Sequence, residues 1–180
     1  MNKLLAILLA STVAGAGLAG CEMLPTPKEE PPVADVVGSS HSAADALMQR
    51  AANSLQVGET VIAASFVNVD DLEQSSSFGR IISQQVSSQF ANRGYRVVEM
   101  LLRNNVYIKQ GGGEFLLSRE VRNLSLAHNA QAVIVGTYAM GRKNILVTAK
   151  LIRATDSVVL SSVDYSLPID PDVGHMLRSK

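Results

Sequence analysis

The sequence has no tryptophan, a single cysteine and no excess of either charge: 16 Lys and Arg balance 16 Asp and Glu among 180 residues. One cysteine excludes an intramolecular disulfide framework and a multi-cysteine metal site. The charge balance argues against nucleic acid as a partner, because phosphate binding needs a clustered basic excess. Proline is missing between Pro32 and Pro168. That gap marks the ordered part of the chain, long enough for one domain with one core. Long apolar runs are also missing beyond the N-terminus. The mean hydropathy of +0.16 comes almost wholly from residues 1–20, and the remainder is close to neutral.

Residues 1–20 carry one charge, Lys3, then an apolar run from Leu4 to Leu9, then small residues up to Gly20. That order reads as a lipoprotein signal peptide. The apolar stretch is too short for a spanning helix, which needs about 20 such residues. The run closes on Leu18-Ala19-Gly20-Cys21, and the lone cysteine stands where a bacterial lipobox requires it. Small residues admit the peptidase. The Cys21 thiol is expected to carry a thioether-linked diacylglycerol, and its freed amine a further acyl chain such as palmitate. Several chains anchor a protein firmly, whereas one binds marginally. Residue 22 is Glu rather than Asp, which by resemblance to lipoprotein sorting favours the outer membrane.

Residues 21–40 hold Pro25, Pro27, Pro31 and Pro32 among charged residues. Proline fixes φ and lacks an N–H, so this segment reads as a tether. The domain is then expected over residues 41–170, with 171–180 as a C-terminal tail.

Within the domain, Leu47, Met48, Ala51, Ala52 and Leu55 repeat at helical spacing over 42–55. Phe78, Ile81, Ile82, Val86 and Phe90 do the same over 77–92, with Ser76 or Ser77 as cap. Residues 61–67, 95–101 and 132–139 are apolar, β-rich runs. Residues 103–115 read as a Gly-rich loop, and Ser118 caps a short helix to His128. Strands at 144–153 and 158–167 follow. The fold class is α/β (α+β): a mixed five-stranded sheet with about three helices in the order α-β-α-β-α-β-β-β. The first three strands are expected parallel, with the last two added as antiparallel hairpins.

No catalytic constellation emerges. Gly111-Gly112-Gly113, preceded by Lys109, fits neither dinucleotide nor P-loop spacing, so a flexible or tight turn is the simpler reading. Asp70, Asp71 and Glu73 offer oxygen ligands for a hard cation, but acids before a helix are also favoured by its dipole. His41, His128 and His175 are scattered, and no G-x-S-x-G motif accompanies them. Arg93, Arg96, Arg103, Lys109, Arg119 and Arg122 crowd the middle of the sequence. They read either as a contact surface for an acidic partner or as a solvated surface. Gly136, inside a buried strand, marks a close approach of a helix or a neighbouring backbone.

Several segments together resemble the FlgO family of flagellar outer-membrane lipoproteins. They are Ser65-Phe66-Val67-Asn68-Val69-Asp70-Asp71-Leu72, Phe78-Gly79-Arg80, and Arg93-Gly94-Tyr95-Arg96-Val97-Val98-Glu99. The stretches from Gly113 to Glu120 and from Ala130 to Tyr138 complete the set. The resemblance implies a domain similar in topology to the N-terminal domain of TolB and to part of CsgG. It also implies a non-enzymatic protein that supports flagellar stability and motility, without cofactor or metal. Its partners would be the outer membrane through the acyl chains of Cys21, flagellar basal-body or other envelope proteins, and in addition peptidoglycan. An accessory role in a secretion or surface-assembly system is the rival reading.

Overall fold

The computed structural model describes residues 32–72, 75–100, 107–109, 115–117 and 119–179. Helix α1 (Val36–Ala51) starts where Asp35 accepts a hydrogen bond from the Gly38 N–H at 2.8 Å. Strand β1 (Thr60–Ala64) and the short β2 (Val67–Asn68) follow. Helix α2 (Ser77–Asn92) is capped by Ser76, as the sequence suggests. After β3 (Arg96–Met100), two short strands, β4 (Tyr107–Lys109) and β5 (Phe115–Leu117), pair with each other. Residues 103–115, expected as a loop, thus contribute to a small antiparallel sheet. Helix α3 (Arg119–Ala127), strands β6 (Ala130–Met140), β7 (Asn144–Arg153) and β8 (Val159–Pro168), and helix α4 (Pro171–Arg178) complete the chain.

The main sheet runs β3-β1-β6-β7-β8, with β2 continuing the line of β1 alongside β6. Strands β1, β3 and β6 are parallel, and β7 and β8 antiparallel. This is the mixed sheet expected, with one short strand and one helix more. The extra helix lies in residues 171–180, read from sequence as a tail. Asp170 caps it, Pro171 opens it, and Val173 is fully buried against the core. Likewise α1 begins at Val36, inside the stretch assigned to the tether. Within α1, Ala43 and Ala44 join Leu47, Met48 and Ala51 inside, while Ala52 is exposed.

Two cores lie on the two faces of the sheet. Helices α1, α2 and α4 cover one face through Leu47, Phe78, Ile82, Phe90 and Val173, packed on Val61, Ile134, Val147 and Leu151. Helix α3 meets the other face through Val121, against Ile62, Val133, Val135 and Ile152.

Candidate interaction surface

The line from β1 to β2 breaks at Ser65 and Phe66. Ala63 pairs with Ile134, but Val67 pairs with Thr137, so the β1–β2 line holds one residue more than β6. This bulge reverses the alternation. Phe66 turns to the face covered by α1 and α2, and Val67 to the opposite one. The Phe66 ring lies over Gly136, where a Cβ would sit 2.3 Å from it. Gly136 therefore marks a close approach, as expected, although the neighbour is a side chain rather than a helix or backbone.

The break frees backbone groups, and α2 and the residue two before it satisfy them. Ser75 Oγ donates to the Phe66 carbonyl at 2.8 Å, and Ser83 Oγ to the Ala64 carbonyl at 2.7 Å. The Phe66 N–H donates to Gly79 O at 3.4 Å. Gly79 has no room for a side chain, since a Cβ would stand 2.2 Å from Phe66 O. Tyr138 donates to Ser76 Oγ at 2.8 Å and accepts from the Ser76 N–H at 3.1 Å. Its ring meets Phe78 edge-on, with centroids 5.6 Å apart. Three of the segments that carry the family resemblance thus converge on one buried junction. Their chemistry there is packing and backbone satisfaction.

Among the described residues, the sequence-predicted candidates do not assemble into a site. Cys21, Glu73, Arg103 and Gly111–Gly113 lie outside the described residues, as do the side chains of Lys109 and Arg119. Among the described residues, no three His, Cys, Asp or Glu could hold a metal ion together. His41 lies in α1, His128 follows α3, and His175 lies in α4. The arginines divide between layers: Arg93 ends α2, Arg122 lies in α3 on the opposite face, and Arg96 is exposed on β3.

Arg93 has a partner that no sequence spacing reveals. Its Nε and Nη2 donate to the two oxygens of Asp45, each at 2.9 Å, and Gln89 Nε2 joins them at 3.0 Å. The hydrogen bond from Arg93 holds the Asp45 carboxyl below the ordinary range, against a smaller opposing effect of burial. This pair ties α1 to α2 beside an open groove of about 450 Å³, floored by Met48, Val57 and Tyr95. A second hollow of about 320 Å³ lies between the start of α1 and β8. There burial pushes the Tyr165 phenol up to about 12, and its hydroxyl is without a hydrogen-bond partner. The nearby Ser40 hydroxyl, which donates to Val36 O at 2.7 Å, offsets a smaller part of that rise. Asp35, Ser39 and Ser42 line this second hollow beside Tyr165.

Among the described residues, no helix is long and apolar enough to cross a membrane. In known structures the fold recurs in the LpoB C-terminal domain from Salmonella enterica. The two are 11% identical with a TM-score of 0.51, covering 73% of this chain and 97% of that one. The Escherichia coli LpoB C-terminal domain gives 8% identity and a TM-score of 0.50, covering 76% and 98%. These likenesses concern the fold. No curated protein sequence matches. The model of the FlgO family, described as FlgO protein, matches residues 41–172, a span that takes in the whole main sheet with α2 and α3: the chain belongs to the FlgO family.

Proposed function

We propose that the protein is a lipid-anchored accessory protein of the bacterial envelope, held at the outer membrane through Cys21. Its domain is a binding module that supports flagellar assembly or stability, and hence motility. The observation that carries this reading is the pairing of two independent features. Residues 41–172 match the FlgO family, and the one cysteine of the chain closes Leu18-Ala19-Gly20-Cys21. The domain acts by contact and not by catalysis. Its partners are envelope proteins of the flagellar base, with peptidoglycan as a further surface within reach of a tethered domain.

Deleting the gene in a flagellated host and scoring swimming and filament retention tests the flagellar role. Reduced motility or shed filaments are expected. Normal motility with intact flagella would move the protein to another envelope assembly. Affinity capture from detergent-solubilised envelopes would then name that assembly. Replacing Cys21→Ser should leave an unprocessed or mislocalised precursor. A mature variant that still fractionates with the outer membrane would remove the anchor.

A further inference from the structure

The described chain begins beside one end of the sheet. The Ala34 N–H donates to Asp170 Oδ2 at 2.9 Å, just after β8. Asn144 pairs with Pro168, and the Ile169 N–H donates to Lys143 O at 2.8 Å. The described chain therefore starts at the same end of the sheet as the β6–β7 turn, Gly141-Arg142-Lys143-Asn144. That turn is exposed throughout. On either side, Met140 is 66% and Leu146 59% exposed. The register places them on opposite faces of the hairpin, because Met140 shares a face with Tyr138 and Leu146 pairs with Ala139. On the Leu146 face, Val69 adds a further exposed apolar side chain, its N–H bonded to Tyr138 O.

Seven residues of hairpin thus hold two cations and two bare apolar side chains. Among the described residues, neither Arg142 nor Lys143 has an ion-pair partner. Asp70 and Asp71 follow Val69 at the same end. Asp35 and Asp170 commit their carboxylates to helix starts and to the Ala34 N–H. Exposed Met and Leu are unfavourable in water but find partners at the headgroup–acyl boundary, while Arg and Lys sit at lipid phosphates.

Geometry supplies the second argument. The eleven residues from Cys21 to Pro31 reach at most about 35–40 Å even when fully extended. Pro32 can therefore lie no farther than about 40 Å from whatever surface holds Cys21. At such a distance a weak contact becomes effectively intramolecular. The far end of the sheet also exposes apolar side chains, Val57 and Leu126 at 68% and 78%. Those lie before β1 and β6, roughly 35 Å from Met140 along the length of β6.

We propose that the tip of the β6–β7 hairpin, from Met140 to Leu146, is a membrane contact that rests on the anionic phospholipid surface in which Cys21 is anchored. It rests on the lipoprotein reading above and adds a fixed orientation: the β6–β7 end faces the bilayer, and the Leu126 end faces the partner. The cations contact phosphate oxygens, and Met140 and Leu146 enter the interface from the two faces of the hairpin.

The test uses the full lipidated chain reconstituted into vesicles containing phosphatidylglycerol. Met140→Cys and, separately, Leu126→Cys are labelled with a fluorophore, and lipid-borne quenchers report depth. Cys21 does not react with the label once its sulfur is a thioether. The label at 140 should be quenched several-fold more than the label at 126. Adding Arg142→Glu and Lys143→Glu should lower quenching at 140 at least about twofold by reversing the attraction to phosphate, while the protein still floats with the vesicles. Equal quenching at both positions in floating protein overturns the hairpin contact and leaves the anchor standing. Protein that does not float overturns the anchor, and the hairpin contact with it. Equally strong quenching on vesicles of phosphatidylcholine alone overturns the assignment to anionic lipid.

Discussion

On one face of the sheet, three helices bury Leu47, Phe66, Phe78, Phe90 and Val173 in a continuous core. On the other, α3 meets the sheet through Val121 near β1 and β6, whereas Leu146 and Val159 of β7 and β8 remain about half exposed. The first face is specified by shape. A bulge, two glycines and a tyrosine hydroxyl must fit together there. The second tolerates polar pairs such as Thr148 with Asp164, bonded at 2.6 Å. What fixes the fold lies on the first face and has little freedom. What can vary to suit a partner or a surface lies on the second face and at the sheet ends.

That contrast can be broken most severely at Phe66. Phe66→Ala should lose about 3–5 kcal/mol, read as a fall in denaturation midpoint. Gly136→Val should also be severe, because overpacking of a tight site costs about 1–3 kcal/mol or more. The two effects should fail to add when combined, since the smaller residue vacates the space that valine needs. Additive losses would show that ring and glycine do not share one site. On the second face, Val121→Ala should cost about 2 kcal/mol, from two methylene equivalents at about 0.8 each plus a small cavity. A loss as large as that of Phe66→Ala would erase the difference between the faces.

Tyr138→Phe keeps the ring against Phe78 but removes both bonds to Ser76, including the acceptor of its buried N–H. It should cost about 1–3 kcal/mol, with no change in far-ultraviolet circular dichroism.

The smallest effect is electrostatic. The Ala34 N–H first and the Val173 N–H second hold the Asp170 carboxyl below its ordinary value of 3.8, and Arg93 does the same for Asp45. A carboxyl depressed in the folded state adds stability above its unfolded value, and that increment is lost as pH falls through the folded one. The melting temperature should therefore drop below about pH 4. Asp170→Asn should flatten that drop while largely keeping the helix cap. An unchanged acid profile would mean that Asp170 acts only through capping geometry.

Much of the architecture was legible because periodicity is local. Residues 77–92 read as a helix from the spacing of Phe78, Ile82, Val86 and Phe90 alone, and the structure has α2 over those residues. The face taken by Phe66 was not legible. Alternation from Val61 would place it with Ile62 and Ala64, and the bulge places it with Val61 and Ala63 instead. Helix α4 was hidden because eight residues with two buried positions make too short a pattern. The union of Asp45 with Arg93 was invisible too, because it joins residues 48 apart on two helices.

The sequence alone determines the place of the lone Cys21, the proline-rich stretch and most of the helices and strands. Each is set by composition or by spacing within a few residues. The tertiary structure decides which backbone groups lose their ladder partners at Phe66, which α2 side chains replace them, and which apolar side chains stay bare at the β6–β7 turn. Those outcomes depend on how distant segments share space, and no local pattern contains that information.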